Sequence, residues 1–249
     1  IPASSTSKVL SFLPVCHIYE RMLHYLYIKL GCSIHFAESM ETIGDNIREV
    51  QPDVFTAVPR LIEKVFDKIM AKGEELTGIK RKLFFWAVEL AEEFEIEGKS
   101  VGYKIKHAVV NKLIFSKWRE ALGGNVNAIA SGSAALQPRL ARIFMAAGIP
   151  ILEGYGLTET SPVISVNSFQ RGIVFGSVGA LIDDVEVVIA EDGEILTKGP
   201  NLMLGYYNLP NVTVEAIDKD GWFHTGDIGE FIQGKYLKIT DRKKEIFKT

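Results

Sequence analysis

Residues 149–160 read Ile-Pro-Ile-Leu-Glu-Gly-Tyr-Gly-Leu-Thr-Glu-Thr, an apolar run that breaks into a glycine-flanked tyrosine, a threonine and a carboxylate. The apolar half, 149–152, predicts a buried strand, so the polar half lies at a strand's carboxyl end, where open α/β sheets bind ligands. Residues 126–138 repeat the arrangement. Val126 to Ala130 predicts a strand, Ser131-Gly132-Ser133-Ala134-Ala135-Leu136 a small-residue turn, and Pro138 the first turn of a helix, where its missing N–H costs nothing. If these strands are neighbours, both turns border one crevice; otherwise they are two ordinary strand-to-helix connections.

The same alternation extends upstream. Val54 to Val58 predicts a buried strand, and Pro59 opens a helix whose Leu61, Ile62, Val65, Phe66, Ile69 and Met70 form one apolar stripe opposite Lys64, Asp67, Lys68 and Lys72. Residues 75–120 are the most helical stretch. There Ile79, Leu83, Trp86, Leu90 and Phe94 predict a single core-facing stripe, and a second helix is expected from Val101 to Trp118. From Gly176 onward the pattern alternates, with Val185 to Ile189 and Glu194 to Thr197 as strands and Asp192-Gly193 and Gln233-Gly234 as hairpin turns. The expected class is α/β: a mostly parallel sheet flanked by helices over 1–175, then a smaller antiparallel subdomain over 176–240 and a polar segment over 241–249.

Composition narrows the function. The chain has 249 residues, with 28 Lys+Arg against 31 Asp+Glu, and its densest basic run, Arg242-Lys243-Lys244, is broken at once by Glu245. That balance supplies no electrostatic footprint for nucleic acid. Arg21, Lys29 and Glu38 interrupt the most hydrophobic early region, so no stretch reaches the ~18 to 20 apolar residues that span a bilayer. Cys16 and Cys32 form no Cys-x-x-Cys pair and read as buried thiols in a reducing cytoplasm. The first residues, Ile1-Pro2-Ala3, carry no initiator Met, and the last ones stop mid-pattern, so a piece of a longer chain is expected.

Individual residues suggest chemistry. Glycines beside Tyr155 let backbone approach a planar ligand while the phenol ring offers a stacking face. Thr158 offers a hydroxyl to phosphate, or a helix cap, and Glu159 a carboxylate to a hard cation such as Mg²⁺. Further on, Asp220-Gly221-Trp222-Phe223-His224-Thr225-Gly226-Asp227 precedes Lys238-Ile239-Thr240-Asp241-Arg242-Lys243-Lys244-Glu245 by one hairpin. Asp227 can accept two ribose hydroxyls and Arg242 can donate to the same sugar; as isolated charges they would be a solvated pair.

The ordered set SGSAAL (131–136), EGYGLTET (153–160), GEILTKGPNLMLGYYNLP (193–210), DGWFHTGD (220–227) and ITDRKKE (239–245) resembles the adenylate-forming superfamily of acyl-CoA synthetases, luciferases and peptide-synthetase adenylation domains. Leu13 to Arg21 and Val58-Pro59-Arg60-Leu61 are similar to its long-chain fatty acid CoA ligase branch. The resemblance implies that the antiparallel part over 176–240 is β-barrel-like, that Gly132, Ser133 and Ala134 line the adenine and acyl pocket, that Tyr155 stacks on adenine and that Gly156 borders the acyl group. It implies further that Thr158 contacts phosphate, Glu159 binds Mg²⁺, Asp227 and Arg242 hold the ribose, His17 lies near the acyl and pantetheine passage, and Lys244 is a hinge.

The implied substrates are a fatty acid, ATP and CoA, in a cytoplasmic protein with peripheral contact at the inner face of the cell membrane. Two expected family parts, a Ser/Thr/Gly-rich phosphate loop and a small C-terminal domain, are not found among the 249 residues, so the chain by itself is expected to be inactive. Another acyl or aryl acid ligase, a carrier-loading adenylation domain and a non-catalytic nucleotide-binding fragment remain the alternatives.

Overall fold

The structure is a computed structural model that describes residues 1–243. Its chain divides into two compact units, Ile1–Pro14 with Leu23–Ile151, and Val15–Met22 with Leu152 onward.

The first unit is built on β1 (Lys8–Ser11), α1 (Ile18–Leu30, from Leu23 onward in this unit), β2 (Ser33–Phe36), α2 (Ile43–Val50), β3 (Val54–Ala57), α3 (Pro59–Glu74), α4 (Gly78–Glu92), α5 (Val101–Val110), α6 (Ser116–Ala121), β4 (Ala128–Ser131) and α7 (Pro138–Ala146). A π-helical turn, Asn111–Phe115, joins α5 to α6. All pairings are parallel, in the order β2-β1-β3-β4. The chain steps from β1 to β2 in one direction and from β2 to β3 and β4 in the other. Right-handed crossovers therefore put α1 on one face of the sheet and α2 to α6 on the opposite face. Every residue of β3 and β4 is buried, as expected for strands covered on both sides.

The second unit holds β5 (Ile151–Gly156), β6 (Val163–Val166), β7 (Gly179–Leu181), β8 (Glu186–Ile189), β9 (Glu194–Lys198), α8 (Pro210–Ala216), β10 (Phe223–Ile232) and β11 (Tyr236–Arg242). Its strands pair antiparallel in the order β5-β6-β7-β11-β10-β9-β8. Ile164, Val185, Ile195 and Leu237 form its buried cluster.

Several expectations shift in register. The predicted helix start at Pro59 and both hairpin turns occur in place, with Gly193, Gln233 and Gly234 at positive φ. Antiparallel pairing begins earlier than 176, because only six residues, 157–162, separate β5 from β6, too few for a parallel crossover. The α4 stripe is rotated in part: Leu90 is buried as expected and Leu83, Trp86 and Phe94 are half-buried, but Ile79 is 84% exposed and Phe84, Ala87, Val88 and Ala91 take the most buried positions. Gly73 of α3 leaves the space that the Phe84 ring occupies, since any Cβ there would overlap it. Cys16 is exposed rather than buried, because it lies in the turn before α1, on no packed face, whereas Cys32 is half-buried with Sγ 3.3 Å from the Ser4 carbonyl.

Candidate functional site

In the second unit the ladder between β10 and β11 places Asp227 directly opposite Arg242. Arg242 Nε donates to Asp227 Oδ1 at 3.2 Å, and the Tyr155 phenol donates to Oδ2 at 2.7 Å. Asp227 is 5% exposed and Arg242 largely solvent-facing, so the carboxylate is the fixed member of the pair. Each carboxylate oxygen can accept more than one hydrogen bond, so Asp227 keeps acceptor capacity on both atoms for a vicinal diol. Burial, then the Asp227 carboxylate, pushes the Tyr155 phenol far above its ordinary range, which keeps it a protonated donor.

A second layer fixes this arrangement. The Asp227 N–H donates to Thr225 Oγ1 at 3.1 Å, and that hydroxyl donates to the Ile195 carbonyl at 2.8 Å. Glu194, buried at the start of β9, accepts from the Gly226 N–H at 2.9 Å and from Lys243 Nζ at 2.8 Å, with His224 Nδ1 3.2 Å away. Burial by itself would raise the Glu194 pKa; the hydrogen bonds from Lys243, His224 and Gly226 overcome it and hold the carboxyl below its usual range. The Lys243 N–H also bonds the Gly226 carbonyl at 2.9 Å, tying the residue after Arg242 to the residue before Asp227.

Tyr155 lies inside β5 rather than in a turn beyond it. Gly156 is required there by sheet packing: an added Cβ would overlap the Pro162 carbonyl oxygen of the chain returning into β6. Thr158 and Glu159 begin a short 3-10 turn, Thr158–Thr160, whose entry is closed by Thr160 Oγ1, 2.9 Å from the Leu157 N–H. Thr158 is exposed and its hydroxyl has no protein partner among the described residues. Glu159 is held from two sides: its carbonyl accepts the Met203 N–H at 2.8 Å, and its Oε1 accepts the Tyr206 phenol at 3.0 Å. Oε2 has no partner among the described residues. A lone, oriented carboxylate with a free oxygen fits Mg²⁺, which binds through one or two carboxylates plus waters and substrate phosphates rather than a protein cage. The described residues contain no group of three or more His, Cys, Asp or Glu that could hold a metal ion.

The remaining predicted residues lie elsewhere. Gly132 is buried, while Ser133, at φ 71°, and Ala134 are exposed; all three follow β4 in the first unit. His17 is exposed in the turn ahead of α1, its carbonyl accepting the Arg21 N–H at 3.1 Å. Lys244 lies outside the described residues. Two residues without an assigned role join the site: Tyr206, from the GYYN part of the 193–210 motif, and Glu194. Ser131 is 2% exposed at the end of β4, and its hydroxyl has no partner among the described residues.

Residues 2–207 match the family described as AMP-binding enzyme. The chain belongs to that family. Long-chain-fatty-acid–CoA ligase 1 of Cavia porcellus is 36% identical over 252 residues, an alignment covering 96% of this chain and 35% of that relative. The chain thus spans little more than a third of that relative's length. Among solved structures, the N-terminal domain of FACL13 from Mycobacterium tuberculosis matches with a TM-score of 0.68 at 20% identity, over 97% of this chain and 52% of that one. O-succinylbenzoate coenzyme A synthetase of Bacillus subtilis, solved with ATP and magnesium ion, matches with a TM-score of 0.64 at 19% identity, over 98% and 43%. At those identities the two solved structures speak for the fold alone. No helix among the described residues is long and apolar enough to cross a membrane.

Proposed function

We propose that the chain carries adenylate-forming residues of a long-chain fatty acid CoA ligase. The observation that supports this most is the Tyr155–Asp227–Arg242 cluster, a buried carboxylate oriented from both sides and able to accept a vicinal diol. In this reading a fatty carboxylate attacks the α-phosphorus of ATP, forming acyl-AMP and releasing pyrophosphate. The CoA thiol then attacks the acyl carbon, forming the thioester and releasing AMP.

Asp227 and Arg242 hold the ribose, and Tyr155 stacks on the adenine while its hydroxyl steadies Asp227. Gly132, Ser133 and Ala134 line the adenine and acyl pocket, and Gly156 borders the acyl group. Thr158 donates to phosphate, and Glu159, fixed by Tyr206, is the Mg²⁺ ligand. When bound, Mg²⁺ supplies neutralisation of negative charge on the phosphates. His17 lies beside the acyl and pantetheine passage, and Lys244 is the pivot between the two half-reactions. A fatty substrate brings the protein to a membrane surface, at the inner face of the cell membrane.

The test is kcat/KM of the intact protein for acetate, octanoate, palmitate and benzoate with ATP, Mg²⁺ and CoA. Palmitate should lead, because each buried methylene contributes ~0.8 kcal/mol. Preference for acetate or benzoate would move the protein to another ligase branch. Nucleotide binding without any thioester product would make it a binding protein.

A further inference from the structure

The first unit contains an apolar cavity of about 860 Å³ between the sheet and one helical layer. Phe55, Ala57 and Ile129 form its floor, with Phe55 and Ile129 paired in register and Phe55 and Ala57 alternating on one strand, so all three project from one face of the sheet. Leu61 and Ile69 of α3 and Trp118 of α6 are among its walls. No residue of α1 lines it, as the crossovers require, because α1 covers the opposite face of the sheet. The volume falls within the ~300 to 1,000 Å³ of small-molecule pockets.

Charge at the mouth is one-sided. Lys68, Lys72, Lys80 and Lys117 line the cavity with exposed side chains, and none has an ion pair among the described residues. The fifth cation, Arg48, is paired to Asp45; Glu41 is the other carboxylate at the cavity. Apolar side chains that line the cavity also reach solvent, with Met40 at 61% and Leu113 at 44% exposure. A deep apolar space ringed by unpaired ammonium groups complements an anion on a long hydrocarbon chain.

We propose that this cavity is a second binding site for a free long-chain fatty acid, held entirely by the first unit and independent of the Tyr155–Asp227–Arg242 cluster. The hydrocarbon chain lies over Phe55 and Ile129, and the carboxylate meets Lys68 and Lys72, one helical turn apart at the mouth. Affinity then rises ~4-fold per added methylene, the equivalent of ~0.8 kcal/mol each, until the cavity is filled.

The experiment is calorimetric titration of palmitate into the intact protein with its reaction site saturated by non-hydrolysable hexadecyl adenylate. Two variants accompany it. Lys68→Glu/Lys72→Glu reverses charge at two exposed positions. Gly44→Trp adds bulk where a side chain would meet nothing within 4 Å of its Cβ, on a helix residue lining the cavity.

A further palmitate should bind, at least ~10-fold more weakly to the charge-reversed protein and undetectably to Gly44→Trp, with circular dichroism unchanged; the ~10-fold matches loss of one charge-assisted contact. Hexadecanol should bind more weakly than palmitate and ignore the charge reversal. Palmitate binding unchanged in both variants, or absent once hexadecyl adenylate is bound, would overturn the proposal. So would loss of binding to phosphatidylglycerol vesicles in the charge-reversed protein without loss of palmitate, which would make the patch a membrane contact. If hexadecyl adenylate itself does not bind, the ligase reading fails, while Gly44→Trp still decides whether palmitate occupies this cavity.

Discussion

Replacing Tyr155 by Phe removes one hydroxyl and keeps the ring, which separates the two roles given to this residue. The hydroxyl donates to Asp227 Oδ2 at 2.7 Å within a largely buried setting. A hydrogen bond to a charged acceptor contributes about 1.5 to 3 kcal/mol. Arg242 still holds Oδ1, so Asp227 keeps one of its two restraints, and the lower end of that range applies. About 1.4 kcal/mol is tenfold in affinity, so Tyr155→Phe should weaken AMP binding ~10-fold by letting the carboxylate rotate away from the diol. Titration of AMP against 2′,3′-dideoxy-AMP isolates the effect, since the dideoxy compound cannot use Asp227. The variant should lose affinity for AMP and keep its affinity for the dideoxy compound within about twofold. Equal losses for both ligands would place the hydroxyl in adenine binding, and no loss for either would remove Asp227 as the ribose acceptor.

Gly156→Ala should destabilise the second unit by an amount at or above the ~3 kcal/mol upper end of ordinary point changes, because its Cβ overlaps the Pro162 carbonyl; thermal unfolding measures it. Glu159→Gln should raise the Mg²⁺ concentration for half-maximal adenylation ~10-fold and leave AMP affinity within about twofold, since it changes a cation ligand and no adenine contact. Because the folded Glu194 pKa is depressed, its stabilising contribution is complete above the ordinary value of 4.5 and is lost as pH falls through the folded value. Unfolding temperature should therefore drop below that pH in the wild type, and Glu194→Gln should start lower at pH 7 and fall less steeply.

What was legible in the sequence is what local chemistry dictates. Pro59 and Pro138 mark helix starts, and Asp192-Gly193 and Gln233-Gly234 mark hairpins, because ring closure and positive φ act within two or three residues. The pairing of Asp227 with Arg242 was also within reach, since one hairpin of fixed register brings them opposite. The α4 face was legible only in part, because residues 79–91 are apolar on more than one side and the Phe84 ring fits against a glycine, Gly73, of another helix. Tyr206 and Glu194 were missed for a related reason. Tyr206 meets Glu159 across 47 residues, and Glu194 meets Gly226 across 32, in contacts that no local pattern announces. Gly156 also admits the protein's own backbone at Pro162, a close approach that no local pattern announces.

The central claim is that these residues serve adenylate formation on a fatty acid, and the most direct measurement is exchange of labelled pyrophosphate into ATP by the intact protein. The account predicts exchange that requires both palmitate and Mg²⁺ and that falls by about two orders of magnitude in Asp227→Ala, as for loss of a group that positions the reacting nucleotide. Exchange that is absent with palmitate, or that proceeds equally without any acid, would contradict it.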